Sequence, residues 1–371
     1  EIAAESRSMH RCQGMGALGT RGSSLEYLDL LKGDKAASPE NPFAGNDITW
    51  NRVKGGAPLI PLINDIDKTF QHDNPAASIP KLTKIYQFIQ NLPDGHWKRI
   101  KSEEIKNLII QCAGLYIEAV SNIHMVAPGE KTTLTAELTN RSNAQVTIKS
   151  IDFVPMNEAD TTGSIRLTTN KVWKYTRNVV IPDQVENTGA YWLSEPWKTG
   201  MYTVEEQSKR GLPLTPRQCK VRVELNIEGV PFIMEKDIVY KWVDPAKGEL
   251  YRPFEITTPA FVNLDSKVYA FADDAPKKVT VQVKSGIDNL AASVSLNLPA
   301  GWRSEPESLP VSMKSKGSEQ AYSFLLYPST QTSEGTVNAQ ILINGKLYSK
   351  ELITINYDHI PFQTVQKPSE A

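Results

Sequence analysis

"CKVRVELNIEG", residues 219–229, places Val221, Val223, Leu225 and Ile227 on one side of an extended chain and Lys220, Arg222, Glu224 and Asn226 on the other. Side chains alternate faces along a strand, so this is the pattern of a half-buried antiparallel strand. Glu228-Gly229 supplies a hairpin turn and "VPFIMEKDIVYKW" carries the chain back. The same period governs the surroundings. Upstream, Leu134, Ala136 and Leu138 alternate with Thr133, Thr135, Glu137 and Thr139, and the turn-like "NRSN" leads to a second strand through Val146 and Ile148. Downstream, "VDPAKGELYRP" reads as an interdomain linker, after which the rhythm restarts. Val279, Val281 and Val283 alternate in "KVTVQVK", and Val294, Leu296 and Leu298 in "ASVSLNL". Asn344-Gly345 is a hairpin signal in "AQILINGKLYSKELITI". This spacing of short strands and turns predicts two Ig-like antiparallel β-sandwiches, over 124–247 and 252–358.

Before residue 124 the period is that of a helix. Leu59, Leu62, Ile63, Ile66 and Phe70 follow i, i+3, i+4, i+7, i+11, with prolines confined to the first turn. A second helix is expected from Asn74-Pro75, with Leu82, Ile85, Ile89 and Leu92 on one face, and Pro93-Asp94-Gly95 is a good turn after it. A third has Ser102 as N-cap, Glu103 and Glu104 at the positive end of its dipole, and a stripe of Ile105, Leu108, Ile109, Cys112, Tyr116 and Val120. Residues 58–123 thus read as a helical spacer. Residues 1–57 read as the end of a helix followed by a long ordered loop rich in Gly, Asn, Pro and Asp, and 359–371 as a linker. The expected fold class is multidomain α plus all-β, an N-terminal helical segment followed by two sandwiches.

A chain of 371 residues exceeds one ordinary core and suggests three domains. Its 41 basic and 42 acidic residues leave no long-range field, which argues against a nucleic-acid partner. No apolar run approaches the roughly eighteen residues of a membrane span, and no segment has the tripartite form of a signal peptide. Cys12, Cys112 and Cys219 are odd in number and far apart, so they read as plain thiols. His10, His72, His96, His124 and His359 are isolated in sequence, so spacing proposes no metal site in this chain. Asp273-Asp274 and Glu205-Glu206 read as solvated loop charge.

Two clusters stand out. Gly14-x-Gly16-x-x-Gly19 has dinucleotide-binding spacing, but it lacks the apolar strand before it and the helix opening at its last glycine. The glycines are better explained as a tight path just after a helix end. In "YWLSEPWKTGMY", Tyr191, Trp192, Trp197 and Tyr202 are candidates for stacking on sugar rings. The competing and favoured reading packs these aromatics into their own sandwich or against a neighbouring domain.

Several phrases resemble the large PIG-L (LmbE-like) N-deacetylases of Bacteroidetes-type bacteria: "SRSMHRCQGMGALGTRGSSLEYLDLLKG", "TWNRVKGG", "NPAASIPKL", "YWLSEPWKTGMYTVEEQ" and "YKWVDPAKGELYRPFEI". In that family a catalytic α/β domain binds zinc through a His-Pro-Asp-Asp motif and a later histidine, and removes acetyl groups from N-acetylglucosamine-type amides. Its final helix carries a His-x-Ser-Gln-like signature, which His10-Arg11-Cys12-Gln13 resembles with Cys12 in the serine position; His-Pro-Asp-Asp occurs nowhere in the sequence. The resemblance implies that zinc belongs to an upstream domain and that this chain is a non-catalytic C-terminal portion partnering that domain. It puts His10, Gln13 and Arg21 at the pocket rim, makes the second sandwich NEW3-like, expects a further α/β domain beyond Ala371 and favours an extracytoplasmic location, periplasmic or secreted. The alternative is a self-contained extracellular carbohydrate-binding or adhesion protein whose tandem sandwiches do the work. Bottom-up, helix capping or a backbone hydrogen bond is the favoured role for His10.

Overall fold

A computed structural model describes residues 2–14, 22–23, 25, 27–38, 40–41, 43–156, 163–195 and 198–371. The chain forms two compact units, Glu1–Ala57 and Pro58–Ala371. In the first, the helix Ile2–Met9 runs into the turn Arg11–Gln13, which ends at Gly14 in the left-handed region (φ 79°). A residue without Cβ is what such an exit needs. Gly16 and Gly19 lie outside the described residues.

The second unit opens with helices Leu59–Thr69, Ile79–Gln90 and His96–Cys112. Ile79, Leu82, Ile85 and Ile89 are buried, as are Ile105 and Ile109 of the third helix. Tyr86 meets Phe232 at 4.8 Å between ring centroids, which seats the middle helix on the first sandwich. Three expectations are corrected here. The third helix starts at His96 rather than after Ser102, whose hydroxyl accepts from Gln90 Nε2 instead. It ends at Cys112, and Tyr116 and Val120 lie on the strand Leu115–Ser121, because Gly114 turns left-handed (φ 57°) and the residues after it alternate as a strand does. Of the stripe on the first helix, Leu59 is buried while Leu62, Ile63 and Phe70 are exposed.

The first sandwich pairs a five-stranded sheet, in the order Gly248–Pro253, Val239–Asp244, Leu115–Ser121, Lys131–Asn140, Val172–Val180, with a four-stranded one, Ile165–Arg166, Val146–Val154, Lys220–Ile227, Val230–Asp237. Val221, Val223, Leu225 and Ile227 are all buried, as their alternation required. A bulge between Ile148 and Ser150 lets Ile148 and Ile151, three apart, both face inward. Phe153 and Tyr175 stack across the two sheets at 5.7 Å.

The segment expected to link the sandwiches is instead a hairpin arm. Gly248–Pro253 pairs antiparallel with Val239–Asp244, and Asp244 Oδ1 accepts from the backbone N–H of Ala246 and of Lys247, which closes the turn. The expected tail linker is also structured. Gln363–Pro368 pairs with Lys350–Ile355, and Ala371 exchanges both backbone hydrogen bonds with Val337. Both segments are polar in sequence, but each finds a strand edge to satisfy its backbone groups.

The second sandwich packs Ala260–Leu264, Lys277–Ser285, Glu319–Tyr327 and Arg303–Glu305 against Ser308–Met313, Leu290–Asn297, Asn338–Ile343 and Lys346–Tyr348. Its core is built from Val279, Val281, Val283, Val294, Phe324 and Ile341 among others. Asn344 and Gly345, both at positive φ, turn the hairpin between Asn338–Ile343 and Lys346–Tyr348. At Gly286 the constraint is space. A Cβ there would lie 2.6 Å from the Thr258 carbonyl oxygen and 3.0 Å from the Pro259 carbonyl carbon, both backbone atoms that cannot swing aside. Gly286→Ala is therefore expected to cost about 1–3 kcal/mol, the range for overpacking, read as a lower urea midpoint at unchanged slope.

Candidate functional site

Strand Val239–Asp244 puts Tyr240 and Trp242 on one face, and the register sets Arg252 opposite Tyr240. These groups form a continuous stack. His124 and Tyr240 have ring centroids 5.5 Å apart, and Tyr240 and Trp242 lie 5.5 Å apart at 21°. The Arg252 guanidinium carbon sits 4.8 Å from the Trp242 ring centroid and 3.8 Å from that of Phe362. His124, Tyr240, Arg252 and Phe362 of this stack line a cleft of about 610 Å3, bounded by both sandwiches and by the hairpin of Lys350–Ile355 and Gln363–Pro368, with Trp242 behind Arg252. That volume falls within the range of about 300–1,000 Å3 typical of small-ligand sites.

The charges lining the cleft are Arg252, Lys284 and Lys316. Lys316 Nζ is 2.7 Å from Glu130 Oε2, an ion pair between the two sandwiches, and Lys284 Nζ is 3.0 Å from Glu319 Oε1. Among the described residues Arg252 has no carboxylate partner: its guanidinium lies against the two rings, and its buried Nε has no hydrogen-bond partner. Thr257 also lines the cleft, is 1% exposed, and leaves its Oγ1 unpartnered. Burial first, and then the charges of Arg252 and Lys316, hold the His124 imidazole below its ordinary pKa, against a smaller opposing effect of Glu255.

Asn122, Asn356, Thr354 and Thr364 add amides and hydroxyls to the lining. The Asn122 Oδ1 already accepts from Thr132 and Thr133, which directs its amide nitrogen elsewhere. Chemically, the cleft offers aromatic faces, groups that both donate and accept, and an uncompensated guanidinium. No group of three His, Cys, Asp or Glu able to hold a metal occurs among the described residues.

Of the candidate site residues picked from sequence, the described ones, His10, Gln13, Tyr191, Trp192 and Tyr202, are not among those lining the cleft. His10 is exposed, and its Nδ1 is 2.7 Å from the Ser6 carbonyl oxygen one turn back. Gln13 is exposed in the same turn, its backbone N–H donating to the His10 carbonyl. Arg21 and Trp197 lie outside the described residues. Tyr191 and Trp192 are half-buried and meet edge to face at 5.0 Å, with Tyr191 Oη donating to the Leu212 carbonyl. Tyr202 is 56% exposed and makes no ring contact with them among the described residues. Asp273 and Asp274 border a second hollow of about 530 Å3 at one end of the second sandwich, where Phe271 and Trp302 meet edge to face. Glu206 is paired with Lys209 at 2.9 Å.

Sequence reasoning missed Tyr240, Trp242 and Arg252. The signal was "YKW", two aromatics on one strand face. Its significance depended on Arg252, which stands in the segment read as a linker.

No protein-family model and no curated protein matches the sequence. Among solved structures, red sea bream transglutaminase is similar at 12% identity and TM-score 0.27, over 74% of this chain and 34% of that one. A protein of unknown function from Porphyromonas gingivalis W83 is similar at 9% identity and TM-score 0.18, over 69% of this chain and 99% of that one. Escherichia coli alpha-2-macroglobulin activated by porcine elastase is similar at 9% identity and TM-score 0.22, over 68% of this chain and 22% of that one. This chain therefore spans about a third of the transglutaminase. Likenesses this distant carry no functional argument.

Proposed function

We propose that this chain is a non-catalytic binding region built on tandem β-sandwiches, and that the cleft between them holds a carbohydrate. The observation that carries this reading is the stack of His124, Tyr240, Trp242, Arg252 and Phe362 beside a cleft lined with side-chain amides and hydroxyls. Aromatic faces suit the apolar faces of sugar rings, while groups that both donate and accept suit their hydroxyls. On the resemblance of its phrases to PIG-L (LmbE-like) N-deacetylases, the region accompanies an upstream zinc-dependent domain acting on N-acetylglucosamine-type substrates, in an extracytoplasmic setting.

Calorimetric titration of the full chain with oligosaccharides tests the binding. Tyr240→Ala is expected to weaken it by roughly 1–3 kcal/mol, the scale for losing a stacked aromatic, while Trp192→Ala leaves it unchanged. Loss at Trp192 with none at Tyr240 would move the site to the Tyr191 turn, and no binding to any oligosaccharide would end the carbohydrate reading. The deacetylase association makes a separate demand. Joined to an upstream domain bearing His-Pro-Asp-Asp, the protein should release acetate in a zinc-dependent way, and this chain alone should release none.

A further inference from the structure

We propose that the cleft selects an acidic sugar, with Arg252 as the residue that meets its carboxylate. This rests on the carbohydrate reading above and goes further by naming the charge of the ligand. Two polar groups at this one cleft lack partners, Arg252 Nε and Thr257 Oγ1, and both atoms are buried. Leaving a buried donor unsatisfied is costly, more so when it is charged. The two lining lysines are each balanced by a glutamate, Lys316 by Glu130 and Lys284 by Glu319, so among the described residues the uncompensated positive charge at the cleft is that of Arg252. No carboxylate is among the lining residues.

The geometry suits a carboxylate in particular. The Trp242 and Phe362 rings lie against the guanidinium, and a guanidinium ordered in this way presents a planar fork that a carboxylate matches with two parallel hydrogen bonds. The Thr257 hydroxyl has its own donor still unused. The size of the cleft and its amide and hydroxyl lining accommodate more than a bare anion, which favours a uronic-acid type of sugar.

Titration of the full chain with a glucuronate-containing disaccharide and with its carboxyl-reduced neutral counterpart tests the charge without altering the protein. The acidic disaccharide is expected to bind about ten- to a hundredfold tighter, the worth of a charge-assisted hydrogen-bond pair. Arg252→Met should abolish that preference, and Arg252→Lys should lose most of it because an ammonium cannot make the forked pair. Lys149→Gln, an exposed lysine outside the cleft lining, should leave it within about threefold. A second reading is the proton resonance of His124, faced by Arg252, Lys316, Lys284 and Glu255. Its titration midpoint should rise when the acidic disaccharide is bound and stay put with the neutral one.

Equal binding of the two disaccharides would overturn the inference while leaving carbohydrate binding intact. Failure of both to bind would overturn both. Inorganic phosphate displacing nothing is the supporting result; phosphate binding as tightly as the acidic disaccharide would show a simple anion site and overturn the sugar assignment.

Discussion

Replacing Lys267 and Lys367 together with methionine is expected to cost the second unit about 3–5 kcal/mol, the scale for leaving a buried charge without its partner. Glu351 is 2% exposed, with Lys267 Nζ 2.5 Å from its Oε2 and Lys367 Nζ 3.2 Å from its Oε1. The cross-strand register sets Glu351 directly opposite Lys367, whereas Lys267 reaches in from the second sandwich, so the carboxylate ties the hairpin to that sandwich. The loss is asymmetric. Lys267 is half exposed, and removing it alone should cost about 1 kcal/mol because Lys367 remains. Glu351→Gln should be milder than the double lysine variant, since it frees two partly exposed ammonium groups to reach water and leaves a neutral amide behind. Urea denaturation of the four proteins orders them. A double lysine variant as stable as Glu351→Gln would mean that the carboxylate relaxes into solvent.

The difference between what was legible in the sequence and what was not follows from the range of the interactions. Val221, Val223, Leu225 and Ile227 were readable because burial on one face of a strand is written at a period of two, and all four are buried. The Asn344-Gly345 turn was readable because positive φ at both central residues selects Asn and Gly, and both have it; at Glu228-Gly229 the signal was Gly229 alone, since Glu228 also takes positive φ without being a residue that favours it. The third helix was misread at its end because Tyr116 and Val120 continue its apolar stripe by chance, where Gly114 decided the boundary, and at its start because Ser102 looks like a cap but instead accepts from Gln90 Nε2. "VDPAKGELYRP" and the tail looked like linkers because edge strands carry polar residues, and their pairing is set by partners far away in sequence. The cleft was invisible for the same reason. Its stack joins His124, Tyr240, Arg252 and Phe362 from four separate segments, and only the Tyr240-Trp242 spacing is local.

Arg217→Met should also be destabilising, by about 2–4 kcal/mol, because it strips the cation from a largely buried carboxylate. Arg217 Nη2 is 3.2 Å from Glu255 Oε1, whose side chain is 12% exposed, and Nη1 donates to the Phe254 carbonyl at 2.8 Å. Thr188 Oγ1 donates to the other Glu255 oxygen and accepts from the Ile256 N–H. Gln366 Nε2 donates to the Thr188 carbonyl at 2.8 Å, so the insertion after the strand Val172–Val180, the segment joining the sandwiches and the final hairpin meet in one network. Members of such a network are not additive. Arg217→Met combined with Glu255→Gln should recover about 1–3 kcal/mol of the loss, the usual size of coupling between contacting groups. The consequence reaches the cleft, because the Glu255 N–H donates to the His124 carbonyl and Glu255–Ile256 pairs with Met125–Val126. A Glu255 carboxylate released from Arg217 would stand beside His124 as an unbalanced negative charge and repel an acidic ligand. Arg217→Met should therefore weaken acidic more than neutral disaccharide binding, and the double variant should restore the preference. If stability changes without any change in that preference, the network holds the sandwiches together and plays no part in setting the charge of the cleft.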